Sequence, residues 1–377
     1  MITDFKGTIL SVIIPVDGRE HELLRLLTSL STSRNKLTEY YFSKVEVIIV
    51  DSTTQQQFNR YLVPIDPTWM HHVTGPKNVR QKRNLGAQSA SGIWVAFIDS
   101  DCWVSEDYFF QLFQVLLDKP EIEAWSGRII YQGIENLNWR IFSKSHMVTV
   151  HTNMFDNFEP KLWGGAANLI IRRDVFLKHG GFDNSLPGII GGEDIELCLR
   201  LNRVGVALCA LNDVVAYHPT EPWSTIRAIT SKTWRWGRFE YHLSMRHSRF
   251  QPIVSPPFIV LFIILAIIHT TIAIVDHKPI YLIMPLVWGL ISHFLFTILY
   301  SPKQEFKEYF FGYITGFLEL LFQTAFVIES IKHHAFRNLI CPPVFELDLD
   351  SRYKSEVTNS YSNLISLLII IFIDFFL

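Results

Sequence analysis

Two long uncharged segments in the last third of the chain constrain its fold more than any other feature. Residues 253–275 and 279–300 contain no Asp, Glu, Lys or Arg, and only a short charged segment separates them. Each is long enough to cross a hydrocarbon layer about 30 Å thick as an α-helix. Helices buried in a protein core seldom exceed about 20 uncharged residues. We therefore predict a transmembrane hairpin rather than a buried helix pair.

Two further apolar segments are interrupted by charge. Residues 308–331 contain Glu319 and Glu329, so they are a candidate third span that could instead re-enter the bilayer or lie at its surface. Residues 332–377 form a tail, and residues 362–377 within it are apolar but short for a span. We treat that last part as a candidate short membrane segment. The predicted membrane region thus covers residues 253–331.

Basic residues precede the first uncharged segment and orient the chain. They are Arg235, Arg238, Arg246 and Arg249. Because positive charge beside membrane segments is retained on the cytoplasmic side, they place residues 1–250 there in an integral membrane protein. Residues 1–7 carry Asp4 and Lys6, and the first apolar run is only as long as a strand, so no signal peptide is expected.

The basic segment also carries aromatic residues. Residues 231–252 alternate Lys and Arg with Trp, Phe and Tyr, a combination that suits the headgroup layer of a membrane. We predict an interfacial helix that contacts membrane lipid. An ordinary amphipathic helix on the N-terminal domain fits the same pattern.

Charge and cysteine content exclude other classes. The chain has 34 Lys and Arg against 36 Asp and Glu, a net charge of −2, whereas nucleic-acid binders normally show a clear basic excess. No nucleic-acid partner is expected. The 4 cysteines show no C-x-x-C spacing, so the sequence indicates neither a zinc ribbon nor a disulfide scaffold.

The first 230 residues alternate strand-like and helix-like segments and are predicted to form one domain. The predicted strands are residues 8–15, 45–50, 71–74, 93–98 and 213–217. The predicted helices are residues 19–31, 55–62, 77–90, 105–117 with Ser105 as N-cap, and 195–204. This alternation indicates an α/β fold with a mostly parallel sheet. Ligands of such sheets bind at the carboxyl ends of the strands, where Pro15, Asp51 and Asp99 lie.

Asp99 and Asp101 form the first chemical constellation. They are two residues apart on an extended segment, so their side chains leave on the same side. Two converging carboxylates favour Mg²⁺ or Mn²⁺, and a diphosphate would supply further oxygen ligands. A D-x-D pair alone is more often a solvated turn, but this one follows a buried strand and lies near the cationic helix that carries Arg80 and Arg83.

A second constellation is Gly191-Gly192-Glu193-Asp194. It precedes a helical stripe, and its carboxylates would lie at the positive end of the helix dipole. Helix capping alone would account for such a pair. However, a glycine-rich loop allows close approach of a ligand, and an ionised Asp194 could act as general base for a hydroxyl acceptor. His218, after a predicted strand, is a candidate third metal ligand or diphosphate contact, although a lone His is more often structural.

These segments resemble the family 2 inverting glycosyltransferases, which have the GT-A nucleotide-diphospho-sugar fold with a Rossmann-like mixed sheet. The resemblance covers residues 8–236. It rests on motifs in the family's order: S-V-I-I-P at 11–15, the strand ending at Asp51, K-R-N-x-G at 82–86, W-V-A-F-I-D-S-D at 94–101, W-G-G-A-A-N at 163–168, G-G-F-D at 180–183, G-E-D at 192–194 and L-C-L-R-L at 197–201.

The resemblance implies a role for each candidate residue. The residues expected to bind the nucleotide sugar are Pro15, Asp51, Arg83 and Asp99. The expected ligands of the metal, Mg²⁺ or Mn²⁺, are Asp101 and Asp99, with His218 as the further candidate. The expected general base is Asp194, with Glu193 beside it in the catalytic site. The residues expected on the acceptor side are Trp163, Gly165, Arg235 and Trp236.

The sequence departs from the family pattern at three places. Asp51 is followed by Ser, Thr and Thr where D-D-G-S is usual, and Glu196 stands where the family often has Asp. The Q-x-x-R-W motif of processive synthases becomes Lys232 with Arg235 and Trp236, which argues against processive polymerisation.

The sequence therefore predicts a membrane-anchored, metal-dependent enzyme. It would move a sugar from a nucleotide-diphosphate donor, with a UDP-sugar favoured, to a hydroxyl of a lipid-linked or cell-surface glycan, with inversion. A polyprenyl-phosphate glycosyltransferase is the alternative enzyme, but its ionised phosphate acceptor would need no general base. A catalytically silent scaffold of a glycan export complex is the alternative from another class, and the two acidic motifs argue against it.

Overall fold

The computed structural model divides the chain into two compact units. It describes residues 7–17, 20–38, 41, 44–52, 66, 68–145, 147–149, 157–188, 191–247, 255–300, 306–342 and 351–376. The first unit comprises Met1–Ile134, His151–Gly188 and Gly192–Glu221, and the second comprises Glu135–Val150, Ile189–Gly191 and Pro222–Leu377. The domain boundaries predicted at residues 230, 252 and 331 stay predictions.

Within the described part of the first unit, nine strands form a central mixed sheet. Its strands are β1 (Leu10–Val16), β2 (Val45–Asp51), β3 (Met70–Thr74), β4 (Trp94–Phe97), β5 (Trp103–Val104), β6 (Ala124–Gln132), β7 (Pro160–Lys161), β8 (Leu169–Arg172) and β9 (Leu208–Pro219). Their order is β3-β2-β1-β4-β8-β6-β9-β5, and β7 pairs with β9. The first four strands are parallel, whereas β8 is antiparallel to both β4 and β6.

Helices cover this sheet. They are α1 (Glu20–Asn35), α2 (Val79–Ser89), α3 (Tyr108–Asp118), α5 (Arg173–Lys178) and α6 (Glu193–Arg203). The strands β1, β2 and β4 are buried along nearly their whole length, as expected for β-branched runs between two helical layers. A leucine stripe on α1 packs into the core with those strands, and it consists of Leu23, Leu26, Leu27 and Leu30. The α/β class predicted from the sequence is confirmed.

Two local predictions need correction. Ser105 is not the N-cap of α3, which begins at Tyr108 after Asp107. The reason is that β5 pairs antiparallel with β9 and the amide of Ser105 donates to the carbonyl of Val215, which keeps this residue extended. His218 lies within β9 rather than after it, because the pairing of β6 with β9 continues to Pro219. The helix predicted at residues 55–62 lies outside the described residues.

The second unit is helical. It contains α4 (Leu137–Phe142), α7 (Ile226–His247), α8 (Phe258–Val275), α9 (Met284–Tyr300), α10 (Phe306–Lys332) and α11 (Ser351–Phe376). Among the residues that the structure describes, three of its helical segments are long and apolar enough to cross a membrane, namely Phe258–Val275, Pro279–Leu299 and Phe310–Lys332. A 3₁₀ turn, Pro279–Ile283, opens the second of them. The apolar part of α11 is shorter, at Ser360–Asp374. The predicted helical region after the α/β sheet is confirmed.

Candidate active site

The carboxyl ends of the parallel strands bring the first predicted residues together. Val16 is in register with Asp51 and Pro15 with Val50, while Asp51 is in register with Thr74 of β3. The Asp51 side chain is buried, and its Oδ1 accepts a hydrogen bond of 2.6 Å from the amide of Ser52. The predicted nucleotide-binding residues of β1 and β2 therefore lie at one edge of the sheet.

Arg83 connects two acidic motifs that are far apart in sequence. Its Nη2 donates to Asp99 Oδ1 at 2.6 Å and its Nη1 donates to Glu193 Oε1 at 2.8 Å. The guanidinium is only 4% exposed. Burial alone would lower the pKa of Arg83, but the charges of Asp99 and Glu193 outweigh burial and raise it above its usual value. Arg83 is thus a permanently charged bridge between the D-x-D and G-E-D segments.

The residue after Arg83 holds the G-G-F-D segment. Asn84 Nδ2 donates to the carbonyl of Phe182, and the amide of Phe182 donates to Asn84 Oδ1, both at 2.8 Å. Gly181 has a φ of +62°, and a Cβ there would lie 2.5 Å from Asn84 Oδ1, so only glycine fits. Arg80 Nη2 extends the contact by donating to the carbonyl of Leu186 at 3.0 Å. The helix that carries the K-R-N-x-G motif therefore holds residues 181–186, which precede the G-E-D segment in the chain.

Glu196 explains one departure from the family pattern. Both of its carboxylate oxygens accept bonds of 3.0 Å from Arg200, four residues later on α6. Arg200 also donates to the carbonyls of His179 and Gly181. Because Glu196 is buried against this arginine, its position has a structural role, and the longer Glu side chain reaches Arg200 in both bonds.

Asp194 is held by two backbone amides. Its Oδ2 accepts from the amide of Ala166 at 3.0 Å and its Oδ1 accepts from the amide of Ile195 at 2.9 Å. Burial, together with the charge of Glu193, raises the pKa of Asp194 to about 6. A half-buried carboxylate with this pKa is ionised at neutral pH yet more basic than an ordinary aspartate, which suits a general base.

The predicted acceptor-side residues fall in both units. In the first, Gly165 precedes Ala166 and so lies beside the Asp194 carboxylate, while the half-buried Trp163 packs on the core. In the second, Arg235 and Trp236 lie on α7. Within that unit, the Trp236 indole occupies the space where a Cβ on Gly191 would lie, and Gly191 has a φ of +118°.

The predicted metal ligands Asp101 and His218 lie together. Asp101 Oδ1 is 4.0 Å from His218 Nε2 and 4.0 Å from Cys102 Sγ, and all three can converge on one ion. His218 Nδ1 is 3.0 Å from the carbonyl of Pro219. Since a carbonyl only accepts, Nδ1 is the donor and Nε2 is the nitrogen that can bind a metal. Burial raises the pKa of the Cys102 thiol, so it stays protonated and is a poor ligand.

Asp99, the other predicted metal ligand, lies outside this cluster and directs Oδ1 at Arg83. Asp101 and His218 therefore fit a divalent ion. Asp101 offers a hard carboxylate oxygen, and the tautomer of the His218 imidazole leaves its Nε2 free of a proton for the metal. A role for Asp99 in metal binding stays a prediction.

Sequence reasoning did not assign a role to Lys82. Its side chain is 1% exposed, its Nζ donates to the carbonyl of Val16, and Asp17 Oδ1 lies 3.9 Å away. The residue ties α2 to the end of β1. The available signal was helical spacing. Lys82 is four residues before Gly86 and so lies on the same face of α2, where a Cβ on Gly86 would meet the Ile13 side chain of the sheet.

A mixed α/β sheet that joins a D-x-D segment, a buried arginine and a G-E-D helix at its carboxyl edge defines a glycosyltransferase. The family model described as "Glycosyltransferase like family 2" matches residues 11–225, more than half of the chain. The chain belongs to this family.

Individual relatives are distant. The chain is 26% identical over 201 residues to an uncharacterized glycosyltransferase of Haemophilus influenzae, covering 51% of this chain and 61% of that protein, which is less than two thirds of its length. It is 22% identical over 239 residues to glycosyltransferase AglE of Haloferax volcanii, covering 62% of this chain and 74% of that protein. The solved structure of S. aureus TarS 1-349 is similar with a TM-score of 0.44 at 14% identity, covering 95% of this chain and 90% of that one.

Proposed function

We propose that this protein transfers a sugar from a nucleotide-diphosphate donor to a hydroxyl of a lipid-linked or cell-surface glycan, with inversion at the anomeric carbon. The favoured donor is a UDP-sugar. The observation that carries the proposal is the Arg83 bridge, which joins Asp99 on the donor side to Glu193, the neighbour of Asp194. The charged groups that would bind a diphosphate and the base that would accept the proton of a hydroxyl thereby belong to one network of residues.

On the donor side, Asp51 and Arg83 would hold the nucleotide. The guanidinium has five N–H donors, and its two bonds to carboxylates leave others for phosphate oxygens. Asp99 and Glu193 fix the plane of the guanidinium, so a donor would meet a preorganised group. Such positioning is a large part of the acceleration that an enzyme of this kind needs.

On the acceptor side, Asp194 would take the proton of the attacking hydroxyl. The amides of Ala166 and Ile195 set the direction of its carboxylate, and the raised pKa gives it proton affinity. A phosphate acceptor is already ionised and would gain nothing from such a base. The environment of Asp194 therefore favours a hydroxyl acceptor over the polyprenyl-phosphate alternative.

Asp101 and His218 would hold the divalent ion, with Asp99 as the further predicted ligand, and Mg²⁺ or Mn²⁺ bound there would neutralise charge on the departing nucleoside diphosphate.

Removing either metal ligand is expected to weaken donor binding. In His218→Gln and Asp101→Asn, the Mn²⁺ concentration that half-saturates nucleoside-diphosphate binding should rise at least about 10-fold, since even residues that only support a ligand contribute this much. The measurement is a Mn²⁺ titration of nucleoside-diphosphate binding on purified protein. Asp107→Asn, at an exposed aspartate, is the matched control and should be silent. Donor binding that is equal with and without chelator would contradict the assignment.

We further propose that the helical unit is embedded in a membrane, with the α/β unit on the cytoplasmic side. The support is the exposed apolar surface of the helical unit, which is larger than soluble proteins normally expose to water. On α8 the exposed large apolar side chains are Ile263, Ile264, Ile267, Ile268, Ile274 and Val275. A membrane anchor would keep the active site near an acceptor on a lipid carrier.

Ile267 offers a test of the embedding. It lies near the middle of α8 and is 63% exposed. Ile267→Arg should lower insertion, because arginine at a membrane-helix centre costs about 2.5–3.5 kcal/mol on the insertion scale, whereas Ile267→Leu should behave like the parent. The measurement is the fraction that resists extraction from membranes by alkaline carbonate. If the parent is extracted, or if Ile267→Arg is as resistant as the parent, α8 does not face lipid.

The function itself is tested by incubating membranes that contain the protein with a panel of labelled nucleotide sugars and extracting lipid and glycan for product. We expect turnover of one donor class and none in the Asp194→Asn variant. Donor binding without turnover would support the scaffold alternative. Product on a lipid phosphate, with normal turnover in Asp194→Asn, would support the polyprenyl-phosphate alternative.

A further inference from the structure

A second cluster of metal-binding side chains lies in the helical unit. His242 on α7 and His333, just after α10, approach the same carboxylate oxygen of Glu329. His242 Nε2 is 3.5 Å from Glu329 Oε1, and His333 Nε2 is 3.7 Å from it. The three ligand atoms lie within 4.8 Å of one another. Nothing in the proposed glycosyl transfer uses this cluster.

The spacing is that of ligands around one ion rather than of hydrogen bonds. Zinc binds imidazole nitrogen and carboxylate oxygen at about 2.0–2.2 Å, so neighbouring ligand atoms of a tetrahedron are about 3.3–3.6 Å apart. Hydrogen bonds from nitrogen to oxygen are about 2.7–3.2 Å long. The contacts of Glu329 Oε1 with His242 and His333 are too long for hydrogen bonds and close to the tetrahedral spacing.

The state of His242 supports this interpretation. Its Nε2 is buried and has no hydrogen-bond partner, an arrangement that costs free energy unless something else binds there. Tyr241 lies against both rings, with its centroid 5.1 Å from that of His242 and 5.0 Å from that of His333, and so orients them.

The other oxygen of Glu329 is supported from outside the cluster. Arg238 Nε donates to Glu329 Oε2 at 2.8 Å, with a longer contact of 3.4 Å from Nη2 to Oε1, and Lys332 Nζ lies 3.4 Å from Oε2. Hydrogen bonds to the far oxygen of a metal-binding carboxylate are typical of metal sites. They fix the carboxylate so that Oε1 faces the two histidines.

We propose that His242, Glu329 and His333 form a binding site for a divalent transition-metal ion of the zinc class. Two imidazoles and one carboxylate suit Zn²⁺, Co²⁺ or Ni²⁺ better than Mg²⁺, which prefers oxygen ligands throughout. Three protein ligands leave a fourth position open to water. An ion there would join α7 to the end of α10, and it is separate from the ion expected at Asp101.

The test uses the full chain in detergent, stripped of metal, in an Asp101→Asn background that removes the other candidate centre. Titration with Co²⁺ should give one visible d–d spectrum per chain, and one equivalent of Zn²⁺ should abolish it. His333→Gln and His242→Gln should weaken Co²⁺ binding at least about 100-fold, since loss of a ligand exceeds the loss of a supporting partner. His334→Gln, at the neighbouring histidine outside the cluster, should bind like the background.

Thermal melting gives a second measurement. Zn²⁺ should raise the melting temperature of the background and of His334→Gln but not that of His333→Gln, because an ion stabilises only the state that binds it. His333 is 47% exposed, so the Gln variant should fold and melt like the background in chelator. Absence of a d–d spectrum, or equal loss in His333→Gln and His334→Gln, would overturn the proposal and leave an ion-pair cluster around Glu329.

Discussion

Replacing Asp194 by Asn is expected to lower kcat by roughly 10²–10⁴-fold, the usual contribution of a positioned general base. The affinity for nucleoside diphosphate should change little, because Asp51, Arg83 and the metal ligands bind that part of the donor. Loss of rate with intact donor binding identifies an interaction used mainly in the transition state. Turnover and nucleoside-diphosphate affinity are to be measured on the same purified variant.

Thermal stability separates this role from helix capping. The Asn amide oxygen can accept only one of the two bonds that Asp194 receives from Ala166 and Ile195, a loss of about 1–3 kcal/mol. In the opposite direction, burial and Glu193 raise the pKa of Asp194 to about 6, so the fold loses stability as the pH rises from the ordinary aspartate range through about 6, and Asn removes the charge that causes this loss. A small shift in melting temperature with a large loss of rate is expected. Near-normal turnover with lower stability would mean capping only.

The pH dependence follows from the same group. The base must be deprotonated, so the rate should rise with pH through about 6 and then level off. Glu193 raises the pKa of this carboxylate and Arg83 lowers it, and Tyr131 and Cys198 also interact with it electrostatically. Glu193→Gln removes the neighbouring negative charge and should move the midpoint to lower pH. A rate that is independent of pH between about 5 and 7 would contradict the assignment of Asp194.

Local patterns in the sequence predicted the strands and helices whose formation depends on residues close together along the chain. The buried strands before Asp51 and Asp99 and the leucine stripe of α1 follow from period and β-branched content. The uncharged segments likewise predicted α8 and α9. The family motifs predicted that Asp194 begins a helix after glycine, and the structure places it at the second residue of α6. All of these are contacts or propensities within about one element.

Contacts between distant segments could not be predicted in this way. Arg83 and Glu193 are 110 residues apart, and each motif alone is compatible with a solvated charge. His242 and Glu329 lie on different helices, and their spacing matches no metal-binding motif. Ser105 failed as a helix cap because strand pairing with β9 overrides a local preference. Which side chains meet depends on how the sheet and helices pack. Local patterns in a single sequence do not show that packing.

Arg83→Met is expected to be the most destabilising substitution in the site. It removes the cation that Asp99 and Glu193 share and leaves the Glu193 carboxylate buried without it. Breaking a buried ion pair from one side costs about 3–5 kcal/mol. We expect the low end, since Asp99 is 32% exposed, and a fall in melting temperature of about 6–12 °C. Arg83→Lys should fall between, because an ammonium cannot bind both carboxylates as a planar fork does.

Arg80 provides a control matched in helix and burial. It is also 4% exposed, but its Nη2 donates to the backbone carbonyls of Leu186 and Pro187, so Arg80→Met leaves no carboxylate uncompensated and should lose less stability. The double variant Arg83→Met with Glu193→Gln tests what causes the loss of stability in Arg83→Met. If an uncompensated carboxylate is what destabilises Arg83→Met, the double variant should recover most of the melting temperature, because removing both partners is far less harmful than removing one. Its nucleoside-diphosphate affinity should stay low, since Arg83 is proposed to contact the donor. Recovery of stability and donor binding together would show that Arg83 serves the fold alone.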